Sequence, residues 1–201
     1  MLDLSDYEGE VKSLVKDSAG KLEDPADYHD ALRKAARWYS QTEAREIVED
    51  LTSDGTDDYS LPSNFEDRYS EIVSIEHPIS GAGEKPAVLD DANYEIARLP
   101  SGLKLRLYVS VAAGQKIRVT YTARHILSDA ENTLPDAAFE AVTEYAAGCC
   151  FDRLAAVYTP TTEDMPQGDF SVFRSVSDKY KSQAKAMKAS AEEKLPNWVF
   201  V

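Results

Sequence analysis

The sequence predicts an α+β protein in which a helical core carries an inserted antiparallel β-meander subdomain. Three observations predict it. Residues 133–158 (TLPDAAFEAVTEYAAGCCFDRLAAVY) place Phe139, Val142, Ala146, Cys149 and Ala156 at helical spacing, with small residues around the rest of the turn. Residues 72–122 instead alternate apolar and polar with a period of two, as half-buried strands do. Phe173, Val176, Tyr180, Ala184, Met187, Ala191 and Leu195 then recur at threes and fours, which is a second long amphipathic helix.

The elements follow in order. Ser5 and Glu8 stand in capping-box relation, and Val11, Leu14 and Val15 give a short helix ending near Asp17, with Gly20 closing the turn. Asp24-Pro25 starts another, and Tyr28, Leu32, Ala35 and Tyr39 form its buried stripe to about residue 41. Ile47, Val48 and Leu51, then Asp54-Gly55, then Tyr59 and Leu61 read as a hairpin across an Asp-Gly turn. The alternations Val73/Ile75, Leu103/Leu105/Leu107 and Ile117/Val119/Tyr121 extend this to a meander of five or six strands, with turns at Pro100-Ser101-Gly102 and Ala113-Gly114. Residues 78–91, holding Gly81, Gly83 and Pro86, form a long loop or flap.

Thr133 is the expected cap of the central helix, with Pro135 and Asp136 in its first turn. That helix should be largely buried, because Ala137, Ala141, Ala147, Gly148 and Ala155 allow close approach from more than one side. Residues 159–169 (TPTTEDMPQGD) are an exposed connection, and Pro196 ends the last helix. The expected organisation is one compact unit: N-terminal helices at 1–43, the β subdomain at 44–128, the long C-terminal helices at 129–195 and an extended apolar tail at 196–201.

The composition excludes several roles. The chain has 201 residues, a formal net charge of -14 and only two cysteines. So acidic a surface repels nucleic acid phosphate, which argues against DNA binding in the usual sense but not against a place beside DNA. No stretch approaches the ~20 apolar residues of a membrane helix, and the start MLDLSDYEGE is unlike a signal peptide, so a soluble protein made in the cytoplasm is expected. Cys149 and Cys150 are neighbours on one helix and read as small core fillers rather than a disulfide or metal pair.

No motif carries catalysis. His29, His77 and His125 fall in different elements, so a shared metal site has no support. The acidic pairs Asp57-Asp58, Asp90-Asp91 and Glu192-Glu193 lack calcium-loop spacing and read as solvated turns, although a hydrolase dyad at Asp90 and Asp91 is the enzyme alternative. No phosphate-binding glycine loop or nucleophile elbow is present. No enzymatic activity, metal or cofactor is therefore expected.

Two features point to assembly. Arg174, Lys181, Lys185 and Lys188 share a stripe of the last helix, which reads either as a solvated face paired with the protein's own carboxylates or as an interface with an acidic neighbouring subunit. Pro196, Asn197, Trp198, Val199, Phe200 and Val201 form a tail with four apolar residues in its last five, which either folds back or docks into a partner with Trp198 and Phe200 as anchors.

The layout resembles the adaptor, or head-tail connector, proteins of tailed bacteriophages. The resemblance is carried by residues 59–78 (YSLPSNFEDRYSEIVSIEHP), 93–99 (NYEIARL), 117–125 (IRVTYTARH) and 133–158, followed by the long C-terminal helix, and it covers most of the chain from about residue 24. The first helix and the glycine-rich flap have no counterpart in it. It implies a structural virion protein of the neck, assembled in the host cytoplasm as a ring following the portal's twelvefold symmetry. It further implies that the 196–201 segment inserts into the portal protein, that a downstream neck, stopper or tail protein binds next, and that genomic double-stranded DNA passes through without sequence-specific contact. A stopper or tail terminator is the nearest alternative. A carbohydrate- or ligand-binding β module, marked by exposed aromatics such as Tyr108, is the alternative from another class.

Overall fold

The computed structural model describes residues 2–81, 84–159 and 170–195, the first five residues of the last segment by backbone only. The protein has an α+β fold, with four α-helices and two three-stranded antiparallel sheets among the described residues. It divides into two compact units, residues 1–43 with 125–201 and residues 44–124.

Helix α1 (Leu4–Val15) opens the helical unit. Its capping box is formed by Asp3 and Asp6 rather than Ser5 and Glu8: the Asp6 N–H donates to Asp3 Oδ1 (3.0 Å) and the Asp3 N–H to Asp6 Oδ2 (2.8 Å). A carboxylate is a stronger acceptor than a hydroxyl, and the Ser5 hydroxyl itself donates to Asp3 Oδ1. Glu8 is used elsewhere, 2.6 Å from Lys12 Nζ and 2.9 Å from His29 Nε2 on the next helix. Helix α2 (Ala26–Thr42) buries the expected stripe Tyr28, Leu32, Ala35 and Tyr39.

Helix α3 (Phe139–Val157) follows a single 3-10 turn at Asp136–Ala138. Thr133 does not cap it. Its hydroxyl accepts the Ile126 N–H (2.7 Å), and its carbonyl accepts from His125 Nδ1 (2.8 Å), so this threonine fastens the preceding loop. Ala141, Val142, Ala146, Ala147, Cys150, Phe151, Leu154 and Ala155 are all buried, and they wrap around the helix because α1, α2 and α4 all pack on it. Ala156, expected on the buried stripe, is exposed.

Helix α4 (Phe170–Glu193) turns Ser177, Ala184 and Ala191 inward at seven-residue intervals, with Tyr180, Met187 and Leu195 packed alongside them against the helical core. Fully buried side chains such as Tyr7, Val11, Leu32 and Leu154 each contribute roughly 1.5–3 kcal/mol by leaving water. Asp27 and Arg153 tie α2 to α3: Asp27 is 5% exposed, accepts the Glu23 N–H (2.8 Å) and lies 2.7 Å from Arg153 Nη2.

The second unit contains β1 (Arg45–Thr52), β2 (Asp58–Ser60), β3 (Ile72–Glu76), β4 (Tyr94–Leu99), β5 (Gly102–Leu107) and β6 (Lys116–Ala123). One sheet has the order β1-β6-β3 and the other β2-β5-β4. The expected hairpin across Asp54-Gly55 is therefore absent. The turn itself forms, with Gly55 at φ +89 and Asp54 accepting the Thr56 N–H (2.9 Å), but the strands on either side enter different sheets. All eight residues of β1 find register on β6, while Tyr59 of β2 faces Leu105 of β5.

The meander is likewise split: among the described strands only β4 and β5 are sequential neighbours that pair, through a tight turn with Gly102 at φ +112. Ile75, Ile117, Val119 and Tyr121 of the first sheet and Tyr59, Leu105 and Leu107 of the second share one core. Three forked arginine–carboxylate pairs lie over this unit. Arg118 donates to Asp50 (2.8 and 3.3 Å), Arg106 to Asp58 (2.7 and 3.1 Å) and Arg98 to Asp67 (2.9 and 2.6 Å).

This unit ends at Arg124, four residues before the expected boundary. Leu127 belongs to the helical core, and the His125 N–H donates to Ser40 of α2 (2.9 Å) while its ring meets Tyr39 edge-on. In the expected 78–91 flap, residues 87–89 return along β3, where the His77 N–H donates to the Ala87 carbonyl (2.9 Å) and the Leu89 N–H to the Ile75 carbonyl (2.8 Å).

Candidate assembly surface

The expected docking tail Pro196, Asn197, Trp198, Val199, Phe200 and Val201 lies outside the described residues, as does the side chain of Arg174. The rest of the expected basic stripe is placed by the packing of α4 on α3. Lys181 and Lys185 are exposed. Lys181 lies 3.6 Å from Asp178 one turn earlier on its own helix, a solvated pair worth well under ~1 kcal/mol.

Lys188 turns the other way. Its stem lies across α3, its ammonium is 2.5 Å from Asp152 Oδ2, and it sits over the Tyr145 ring at 5.4 Å. Burial works against the Lys188 charge, but Asp152 outweighs it and holds the pKa above the ordinary lysine value. The stripe therefore contributes two lysines to solvent and one to the protein's own packing. Lys179, absent from the expected stripe, is also exposed on α4; its offset of two from Lys181 hides it from a three-four spacing.

Gly148 is what brings the two helices together. A methyl group in its place would lie 2.8 Å from Lys188 Cγ and 3.1 Å from the Ala184 carbonyl. Farther along, the Ser177 hydroxyl donates to the Ala155 carbonyl (2.9 Å), and Lys194 Nζ reaches Glu140 (3.0 Å) and Glu144 (2.8 Å). Tyr180 stacks between Phe151 (6.0 Å) and Tyr158 (5.6 Å). The exposed face of α4 is thus held on a helical hairpin at both ends and the middle.

The groups considered for chemistry take other places. His29 lies against Glu8, His77 Nδ1 is 3.3 Å from the Lys116 carbonyl, and His125 packs on Tyr39. Asp90 precedes a 3-10 turn (Asp91–Asn93) and accepts the Asn93 N–H through its carbonyl, while Asp91 accepts from the Tyr94 hydroxyl (2.9 Å). Burial pushes the Cys150 thiol up to about 12 and raises Cys149 as well, so both are protonated at neutral pH.

Among the described residues no group of three or more His, Cys, Asp or Glu could hold a metal ion, and no helix is long and apolar enough to cross a membrane. A cleft of about 510 Å³ beside Tyr108 contains Asp58 and Arg106, but these two side chains neutralise each other across it. Tyr108 is 58% exposed and stands there as a single ring without a second aromatic on the lining.

No family model and no curated protein sequence matches the chain. Among solved structures it is similar to a chain from the virion of a native gene transfer agent (GTA) particle, at 12% identity over 90% of this chain and 89% of that one, with a TM-score of 0.32. It is also similar to a chain from the neck of an empty GTA particle computed with C6 symmetry, at 14% identity, coverage of 90% and 88%, and a TM-score of 0.32. A third likeness is to a chain from the neck of a native GTA particle computed with C12 symmetry, at 15% identity, 86% coverage of each and a TM-score of 0.28. At these values the likenesses establish neither a shared fold nor a shared role.

Proposed function

We propose that this chain is a non-enzymatic structural protein of the neck of a tailed-phage-like particle, in which it forms an adaptor ring beneath the portal. The observation that carries the reading is the layout: a helix pair, an antiparallel β insertion, a long helical hairpin on which Lys179, Lys181 and Lys185 face solvent, and an apolar sequence from Pro196 onward. It is the layout on which the sequence resemblance rests. In this reading the α4 face bearing Lys181 and Lys185 meets an acidic surface of the next subunit, residues 196–201 enter the portal, and the β unit faces the downstream neck protein. The net charge of -14 suits a channel wall, since carboxylates repel passing DNA phosphate and prevent adhesion.

Native mass spectrometry of the full chain and of residues 1–195, each alone and mixed with the portal protein of the same genome, tests this. A ring-sized complex formed by the full chain and lost on truncation is the expected result. No portal association by either form overturns the adaptor reading, and full association by the 1–195 form overturns the tail as anchor.

A further inference from the structure

The helical unit carries its charge unevenly. Residues 1–11 and 125–152 contain no lysine or arginine, and the fold brings the first parts of both together. The Asn132 side-chain amide donates to the Leu2 carbonyl (2.8 Å), and the Tyr7 hydroxyl, pushed up by burial, is raised further by the charges of Asp136 and Asp6. Lys12 takes Glu8, and Lys194 takes Glu140 and Glu144. Asp3, Asp6, Asp129 and Asp136 remain, all exposed and in no ion pair among the described residues. The end of the unit where α1 begins and the 128–136 loop turns therefore presents carboxylates around the exposed Pro135 and Ala137.

A second surface of the same unit has the opposite sign. Trp38 of α2 stacks on Tyr145 of α3, with ring centroids 4.2 Å apart and planes 11° from parallel, and Lys188 of α4 lies over the Tyr145 ring at 5.4 Å. Both rings are half-buried, so three helices meet in an aromatic strip that solvent still reaches. Burial raises the nearby Cys149 thiol, and the charges of Lys188 from α4 and Lys34 from α2 both act against that rise. Arg37 is exposed one turn beyond Lys34, and Lys185 stands one turn before Lys188. Part of the charge is cancelled locally: Arg33 pairs with Asp30, Arg153 with Asp27, Lys181 with Asp178 and Lys188 with Asp152. Lys34, Arg37 and Lys185 enter no ion pair among the described residues and give the strip a positive rim.

A half-buried Trp-Tyr centre within a charged rim has the composition of a protein-binding surface, and its charge selects the occupant. Two copies meeting through this face would set Lys34, Arg37 and Lys185 against themselves, and two meeting through the acidic end would set carboxylates against carboxylates. Each surface suits the other, and copies joined through two different surfaces run head to tail, which closes into a ring where the rotation between them allows. We infer that the Trp38–Tyr145 face of one copy seats on the acidic end of the next, with Lys34, Arg37 and Lys185 against Asp3, Asp6, Asp129 and Asp136. The α2 half and the aromatic centre extend the lysine contact beyond α4. This contact rests on the adaptor-ring reading for its closure, while the head-to-tail pairing itself is measurable with or without the portal.

The test uses the full-length chain in sedimentation velocity and native mass spectrometry at low salt, alone and with the portal protein of the same genome. Lys34→Glu with Arg37→Glu reverses the basic face, and Asp129→Lys with Asp136→Lys reverses the acidic end. Each double variant by itself should associate roughly tenfold more weakly than the wild type, and an equimolar mixture of the two should regain association, because each reversed surface then finds its opposite. Added salt should weaken the wild-type contact. Lys16→Glu with Lys21→Glu, an equal change of charge at exposed residues outside both surfaces, should leave association unchanged.

Lys34→Gln with Arg37→Gln and Asp129→Asn with Asp136→Asn are the milder pairs should a reversal disturb folding, and each should still weaken association. Association retained by either reversed variant, no recovery in the mixture, or an equal loss in the Lys16→Glu, Lys21→Glu control would overturn the inference; a ring-sized complex of the wild type with the portal would then leave the adaptor reading standing. A wild-type chain that stays monomeric both alone and with the portal overturns both. Binding of double-stranded DNA that disappears with Lys34→Glu and Arg37→Glu would assign the face to phosphate instead and overturn the contact between copies.

Discussion

Replacing Gly148 with alanine probes the closest approach in the helical unit. At an exposed mid-helix position this substitution stabilises by about 1 kcal/mol, because alanine restricts the unfolded chain and favours helix. Here the new methyl carbon would fall 2.8 Å from Lys188 Cγ and 3.1 Å from the Ala184 carbonyl oxygen. Neither neighbour yields easily. The carbonyl is helical backbone, and the Lys188 stem is fixed at its far end by Asp152 at 2.5 Å. Overpacking of this kind costs about 1–3 kcal/mol, so the net expectation is a loss of roughly 0–2 kcal/mol.

At about 2–4 °C per kcal/mol for a chain of this size, Tm should be unchanged or lower by up to roughly 8 °C. Thermal and urea unfolding followed by circular dichroism at 222 nm would measure it. A companion cycle with Lys188→Ala removes the Cγ from the contact, and the alanine should then cost about 1 kcal/mol less than in the parent. A rise in Tm corresponding to the full 1 kcal/mol gain, with no coupling to Lys188, would refute the argument that Gly148 sets the spacing of α3 and α4.

Asp27→Ala should cost about 1.5–3 kcal/mol in urea unfolding, since it removes a buried acceptor shared by the Glu23 amide and Arg153. Acid should loosen the β unit. Hydrogen bonds from Arg118, Arg106 and Arg98 hold Asp50, Asp58 and Asp67 below the ordinary carboxylate range. Their folded pKa values are depressed, so the contribution is complete above the unfolded value of about 4 and is lost as pH falls through the folded values; amide exchange in β4 and β6 between pH 5 and 2 should show it. Lys181→Glu with Lys185→Glu should reduce ring formation in native mass spectrometry without lowering Tm, and unchanged assembly would assign those lysines to solvent. Lys188→Glu should lower Tm as well, because it places a carboxylate against Asp152.

The helices and the α+β class were legible in the sequence, because helix formation follows from the spacing of apolar residues along a few turns. Tyr28, Leu32, Ala35 and Tyr39 needed no partner to announce a buried stripe, nor did Ala184 and Ala191, which the seven-residue repeat places on one side of α4. Local capping was less determinate. Asp3-Asp6 and Ser5-Glu8 both satisfy the spacing, and the choice fell to Asp3 because a charged acceptor is stronger and Glu8 finds Lys12 and His29. Thr133 met the local requirements of a cap and was taken instead by the Ile126 amide and the His125 ring, contacts that exist only once the loop is folded.

The sheet shows the same division at larger scale. The alternation of Ile75, Leu105, Val119 and Tyr121 by itself determined that strands would form and which side of each would be buried; Val73, expected beside Ile75, is 47% exposed because the register on β6 shifts between Ile72 and Ser74. Which strands would pair was decided only in three dimensions. Asp54-Gly55 makes its turn as the sequence dictates, yet β1 leaves for β6, some 65 residues on, and β2 for β5. A turn constrains four residues, whereas eight matched pairs along β6 and a shared core under two sheets outweigh it, and those energies depend on residues brought together from the far end of the unit. The inward turn of Lys188 belongs to the same class of fact, since it follows from where a neighbouring helix lies, and only the tertiary structure decides that.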